Sequence, residues 1–141
     1  MNKAINFSIL YVCLILLETV ISILFFLVYN LFQGYSYFYN SINVPIGWNF
    51  WRVLFYGLPF LILYFLLFRY FGNIKLYKPL LFSLFNLSVY VLLSVLSTVI
   101  WGKNVPLPPE GILFWVACVS IIISPIVLGQ VPYFKKLMES L

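Results

Sequence analysis

Histidine and aspartate are both absent from this 141-residue chain, and only three acids remain: Glu18, Glu110 and Glu139. Without them a His-ligated metal site, a haem held by histidine and a Ser-His-Asp triad are excluded. The serines have no histidine or lysine at a matching depth, and Glu18 has no second carboxylate near it, so the sequence argues against an enzyme. Lys103, Glu110 and Tyr35 could meet outside the apolar segments, but nothing in their spacing predicts it. No cofactor and no metal is expected. The two cysteines, Cys13 and Cys118, differ in depth by roughly 10 Å in the helical reading below, too far for a disulfide. They read as small, buried, apolar residues.

Charge is scarce as well. Charged residues make up 8% of the chain against 65% hydrophobic, which leaves no polar shell for a soluble core. The apolar residues fall in four runs, about 5–32, 53–71, 80–101 and 112–131. A helix needs about 20 apolar residues to cross a hydrocarbon core of ~30 Å, and strand-type alternation is lacking. The first run is far longer than the roughly 7–15 residues of a secretory signal and has no small-residue cleavage site after it, so it reads as a retained helix. The expectation is an all-α, polytopic membrane protein with four transmembrane helices in a single domain over 1–141.

Positive charge sets the orientation. Lys3, Arg69, Lys75, Lys78, Lys135 and Lys136 fall on the side shared by the N-terminus, the second loop and the C-terminus, whereas Arg52 and Lys103 fall on the other. Both termini are therefore expected in the cytoplasm, with the basic residues against anionic headgroups. Nucleic acid is a poor partner for so few basic residues, placed at helix ends. An abundance of Phe, Ile, Asn and Tyr suits an AT-rich bacterial genome, hence a bacterial inner membrane.

The connections carry their own signals. Residues 33–52, QGYSYFYNSINVPIGWNFWR, read as an aromatic extracytoplasmic loop turning at Pro45 and Gly47. Its Trp and Tyr residues suit an interfacial belt, ahead of a platform for a sugar or a partner. Gly57 and Pro59 predict a kink in the second helix, and Pro79 is placed to open the third. The short turn at Gly72–Asn73 makes helices two and three antiparallel neighbours. Three prolines stiffen the third loop, with Glu110 beside the start of the fourth helix. The tail 132–141 could form a short amphipathic interfacial turn.

Polar residues within the apolar runs are the sharpest feature. At 100° per residue, Ser8, Tyr11, Glu18, Ser22, Tyr29 and Gln33 share one stripe of the first helix. Ser83, Asn86, Tyr90, Ser94 and Ser97 share one face of the third, and Ala117, Ser120 and Ser124 line the fourth. Such stripes point inward or towards a partner. Glu18, Ser22, Tyr90, Ser94, Ser120 and Ser124 form the candidate site. It reads either as a polar path titrating at Glu18, because burial disfavours the charged form, or as packing in which a neutral Glu18 bonds Tyr90 or a serine. Packing is the favoured reading. Arg52, with Trp48 and Trp51, reads as an interfacial anchor snorkelling to water, ahead of a headgroup or partner contact, and about 15 Å too far out to pair with Glu18.

The run Leu16–Leu17–Glu18–Thr19–Val20–Ile21–Ser22 resembles the first helix of the small multidrug-resistance transporters. That resemblance implies a dimer in which Glu18 is the shared proton and substrate site. It covers one acid and its apolar setting, and the chain departs from the family in its greater length, its aromatic 33–52 segment and its lack of a glycine face on the third helix. Taken together, the residues predict a non-catalytic accessory or structural subunit of a larger membrane complex, in contact with lipids and with other subunits or a second copy. A homo-oligomeric proton- or cation-coupled transporter is the alternative, and a membrane-disrupting pore comes third.

Overall fold

The computed structural model describes the backbone of residues 3–34, 38–71, 73–102 and 111–140. The described residues form five helices: α1 (Lys3–Phe32), α2 (Phe38–Phe71), α3 (Lys78–Trp101), α4 (Ile112–Leu128) and α5 (Pro132–Glu139). No strand occurs among them. The third-loop prolines, Lys103, Glu110 and Tyr35 lie outside the described residues.

Local chemistry accounts for the helix ends. α1 has neither Gly nor Pro in its length. It stops where Gly34 takes a left-handed φ of 73° and donates its backbone N–H to Leu31 at 3.1 Å. Only glycine adopts that conformation without strain. Pro79 stands in the first turn of α3, as its position predicts, because a missing N–H is harmless there. Pro132 opens α5 in the same way, and α5 leaves α4 at an angle of 102°.

Neighbouring long helices run antiparallel. Glu18 meets Arg52 while Tyr11 lies beside Gly57, which fixes the opposed sense of α1 and α2. Ser83 meets Ile122 and Tyr90 stacks on Phe114, which does the same for α3 and α4. Two apolar clusters fill the interior. One gathers Phe7, Leu10, Leu14, Leu81, Phe82 and Phe85 with Leu137 and Met138 of α5, which folds back beneath the bundle. The other joins Tyr90, Phe114, Ala117, Cys118 and Ile121, with Trp48 packed against it. Cys118 is buried, Cys13 is half-buried, and both are free thiols.

The surface is inverted relative to a soluble bundle. On α1, Leu16, Val20, Leu24 and Val28 are each at least half exposed, while Glu18 and Ser22 are buried. On α3, Leu92, Val95, Leu96 and Val99 face outward and Ser83, Ser94 and Ser97 inward. Apolar-out, polar-in helices are matched to lipid. Among the described residues, Ile5–Phe32 and Lys78–Trp101 are long and apolar enough to cross a membrane, and α4 with α5 adds a third if that bent pair is one span.

α2 departs from the sequence reading. It begins at Phe38 rather than Val53, so residues 38–52 are helical and not a loop. Its helical run includes Gly57 and Pro59. A proline removes a single backbone bond, and packed neighbours make that loss tolerable. Pro45 is fully buried on the face that α2 turns inward.

At the α4–α5 bend, a Cβ on Gly129 would overlap the ring of Pro79. Gly129→Ala should therefore destabilise the fold by about 1–3 kcal/mol, as expected for overpacking. Thermal unfolding of the detergent-solubilised chain measures this as a lowered midpoint.

Candidate functional site

Glu18 lies near the middle of α1, with Thr19 directly after it and Ser22 one helical turn on. From α2, Arg52 donates through Nη2 to Glu18 Oε2 as an ion pair with both side chains buried. From α3, Asn86 Nδ2 donates to Glu18 Oε1 at 3.1 Å. One carboxylate thus joins three helices. One turn away, Asn49 Nδ2 of α2 donates to Thr19 Oγ1 at 2.9 Å, and Thr19 returns its own proton to the Ile15 carbonyl at 2.8 Å. The Ser22 and Ser120 hydroxyls lie 2.9 Å apart and tie α1 to α4. Ser83 completes the ring, donating to the Ile122 carbonyl at 2.7 Å between α3 and α4.

The electrostatics are self-contained. A lone ion in low dielectric is strongly penalised, and a buried pair survives when its geometry is good and its other polar atoms are bonded. Both Glu18 oxygens are engaged, and the Arg52 guanidinium carbon also stands 5.7 Å from the centre of the Tyr90 ring. A cation over an aromatic face gains further attraction. A cavity of about 30 Å³ adjoins the pair, bordered by Tyr11, Glu18, Arg52, Asn86 and Tyr90. Among the described residues, no three His, Cys, Asp or Glu side chains come together to hold a metal. The arrangement fixes a charge and fastens helices together.

The structure pairs Ser22 with Ser120 one helical turn from Glu18 and sets Tyr90 against Arg52. Ser94 and Ser124 are buried; Ser124 turns its hydroxyl to the Ser120 carbonyl of its own helix. On three points the expectations are corrected. Arg52 is not a snorkelling anchor: it is 7% exposed and paired with Glu18. Its assigned depth was wrong because α2 starts at Phe38, which puts Arg52 well inside the helix and level with Glu18. The partners of Glu18 are Arg52 and Asn86, whereas Tyr90 or a serine had been expected. Trp48 is half-buried against the Tyr90 cluster, and only Trp51 stays exposed, stacked on Phe55.

Asn49 and Thr19 escaped the sequence reading, and Asn86 was placed in a stripe without its role. A signal for α2 was present. Pro45, Trp48, Asn49 and Arg52 recur at i, i+3, i+4 and i+7, the spacing of one helix face. Pro45 and Gly47 masked it as turn punctuation.

Breaking the pair from one side leaves an uncompensated buried charge, so Arg52→Ala should destabilise the protein by about 3–5 kcal/mol. The double change Glu18→Gln with Arg52→Gln should recover most of that loss. A double-mutant cycle on the unfolding midpoint in detergent measures the coupling.

No protein-family model, curated protein or solved structure matches this chain.

Proposed function

We propose that this chain is a non-catalytic, multi-pass membrane protein that serves as a structural or accessory subunit of a larger assembly in a bacterial inner membrane. The observation that carries the reading is the full engagement of Glu18, by Arg52 on one oxygen and Asn86 on the other. Here the carboxylate ties α1 to both α2 and α3. Wide apolar faces on α1 and α3 remain for lipid and for neighbouring subunits.

Four crossings with both termini in the cytoplasm accord with the same arrangement. The antiparallel packing collects the start of α1, the end of α2, the start of α3 and α5 at one end of the bundle. Lys3, Arg69, Lys75, Lys78, Lys135 and Lys136 belong to those segments. With Arg52 neutralised inside, Lys103 is the single basic residue left for the opposite side. The positive-inside bias is therefore steeper than a count along the sequence gives. A green fluorescent protein fused to the C-terminus should fluoresce in cells, as it does when held in the cytoplasm; a dark, full-length fusion would reverse the orientation.

The subunit reading is tested by extracting the tagged chain from its native membrane in mild detergent and identifying by mass spectrometry what elutes with it. Reproducible, stoichiometric partners are expected, and the Glu18→Gln/Arg52→Gln chain should retain them. A pure homo-oligomer, with an ion flux in vesicles that the double change abolishes, would make it a carrier instead.

A further inference from the structure

The interior of the bundle differs on the two sides of the Glu18–Arg52 pair. Towards the end where α1 begins, the space is filled by Phe7, Leu10, Leu14, Leu81 and Phe82 and closed by Leu137 and Met138. Leu10 and Met138 are completely buried. Towards the end where α1 finishes, polar groups enter from every long helix: Thr19 and Ser22, Asn49, Ser94, and Ser120. The antiparallel pairing puts them on the same side, since residues after Glu18 on α1 oppose residues before Arg52 on α2.

Three side-chain atoms in this half are buried and have no hydrogen-bond partner among the described residues: Trp48 Nε1, Asn49 Oδ1 and Ser94 Oγ. Asn49 is 2% exposed and Ser94 is fully buried. A fourth such atom, Asn6 Oδ1, lies at the other end of the bundle, where Asn6 faces Ser140 beyond the apolar cluster. Leaving one buried polar atom unsatisfied costs about 1–3 kcal/mol, and three within a single half point to a ligand that satisfies them.

The chemistry selects that ligand. The indole N–H needs an acceptor, the amide oxygen needs a donor, and the hydroxyl can use either. No net charge awaits a counter-ion, because Arg52 and Glu18 neutralise each other. A cavity of about 30 Å³ at the pair, reaching towards Tyr11 and Gly57, has room for water beside Glu18 and Arg52. We infer that the half of the bundle between the Glu18–Arg52 pair and the end where α1 finishes takes up water, as a polar shaft that the apolar cluster around Leu10 closes at its inner end. The shaft brings water to a fixed ion pair and to the small cavity beside it. It goes beyond the subunit reading and does not depend on it.

The test uses the full, unaltered, isotopically labelled chain in lipid bilayers, with magnetisation transferred from water and detected by solid-state NMR. Transfer is expected to the Trp48 indole N–H and the Ser94 side chain, and none to Leu10 or Met138. Absence of transfer to Trp48 and Ser94 would overturn the shaft, and equal transfer to Leu10 would overturn its closed end. Sidedness is read with silver ion, a thiol reagent of about the size of water, on Ser94→Cys in a Cys13→Ala/Cys118→Ala background in sealed vesicles. Modification is expected only from the face that modifies Gln33→Cys. Modification from the opposite face, or from neither, would refute the inference.

Discussion

An ionised carboxylate and a guanidinium taken out of water persist only if they find each other, since the desolvation of either alone exceeds what one helix gains by packing. In this chain that requirement fixes the relative heights of three helices. Glu18 holds α1 in register with α2 through Arg52 and with α3 through Asn86. The contacts of Thr19 with Asn49 and of Ser22 with Ser120 fall into place within a turn of it. Interhelical hydrogen bonds of that kind average only about 0.6 kcal/mol each in membranes, too little to set a register alone. The ion pair supplies specificity, and the serines follow it.

Around that constraint the bundle divides. The half nearer the start of α1 is packed with apolar side chains, with α5 folded under it and Gly129 pressed against Pro79. The other half mixes the Tyr90–Phe114 aromatic cluster with hydroxyls and amides. A helix pair stitched only by apolar contacts in lipid has little to choose between registers, because tails and leucines are equally apolar. Polar contacts at mid-helix, backed by a closely packed apolar end, remove that ambiguity.

Composition and hydropathy by themselves determined that the chain is helical and membrane-matched, and the three-to-four spacing of polar residues on the first, third and fourth helices determined which faces turn inward, except at Ser8 and Gln33 near the ends of the first, which are exposed. Those properties are local: they follow from the period of a helix and from the cost of placing a serine or glutamate against hydrocarbon. The start of α2 and the fate of Arg52 were decided only by tertiary structure. Pro45 and Gly47 carry turn propensity, and propensity yields when a segment gains neighbours for its inward face. Arg52 beside an apolar run has the same sequence signature whether it reaches for headgroups or for an acid. The choice rests on where another helix places Glu18, a distance between residues far apart in the chain that no local pattern encodes.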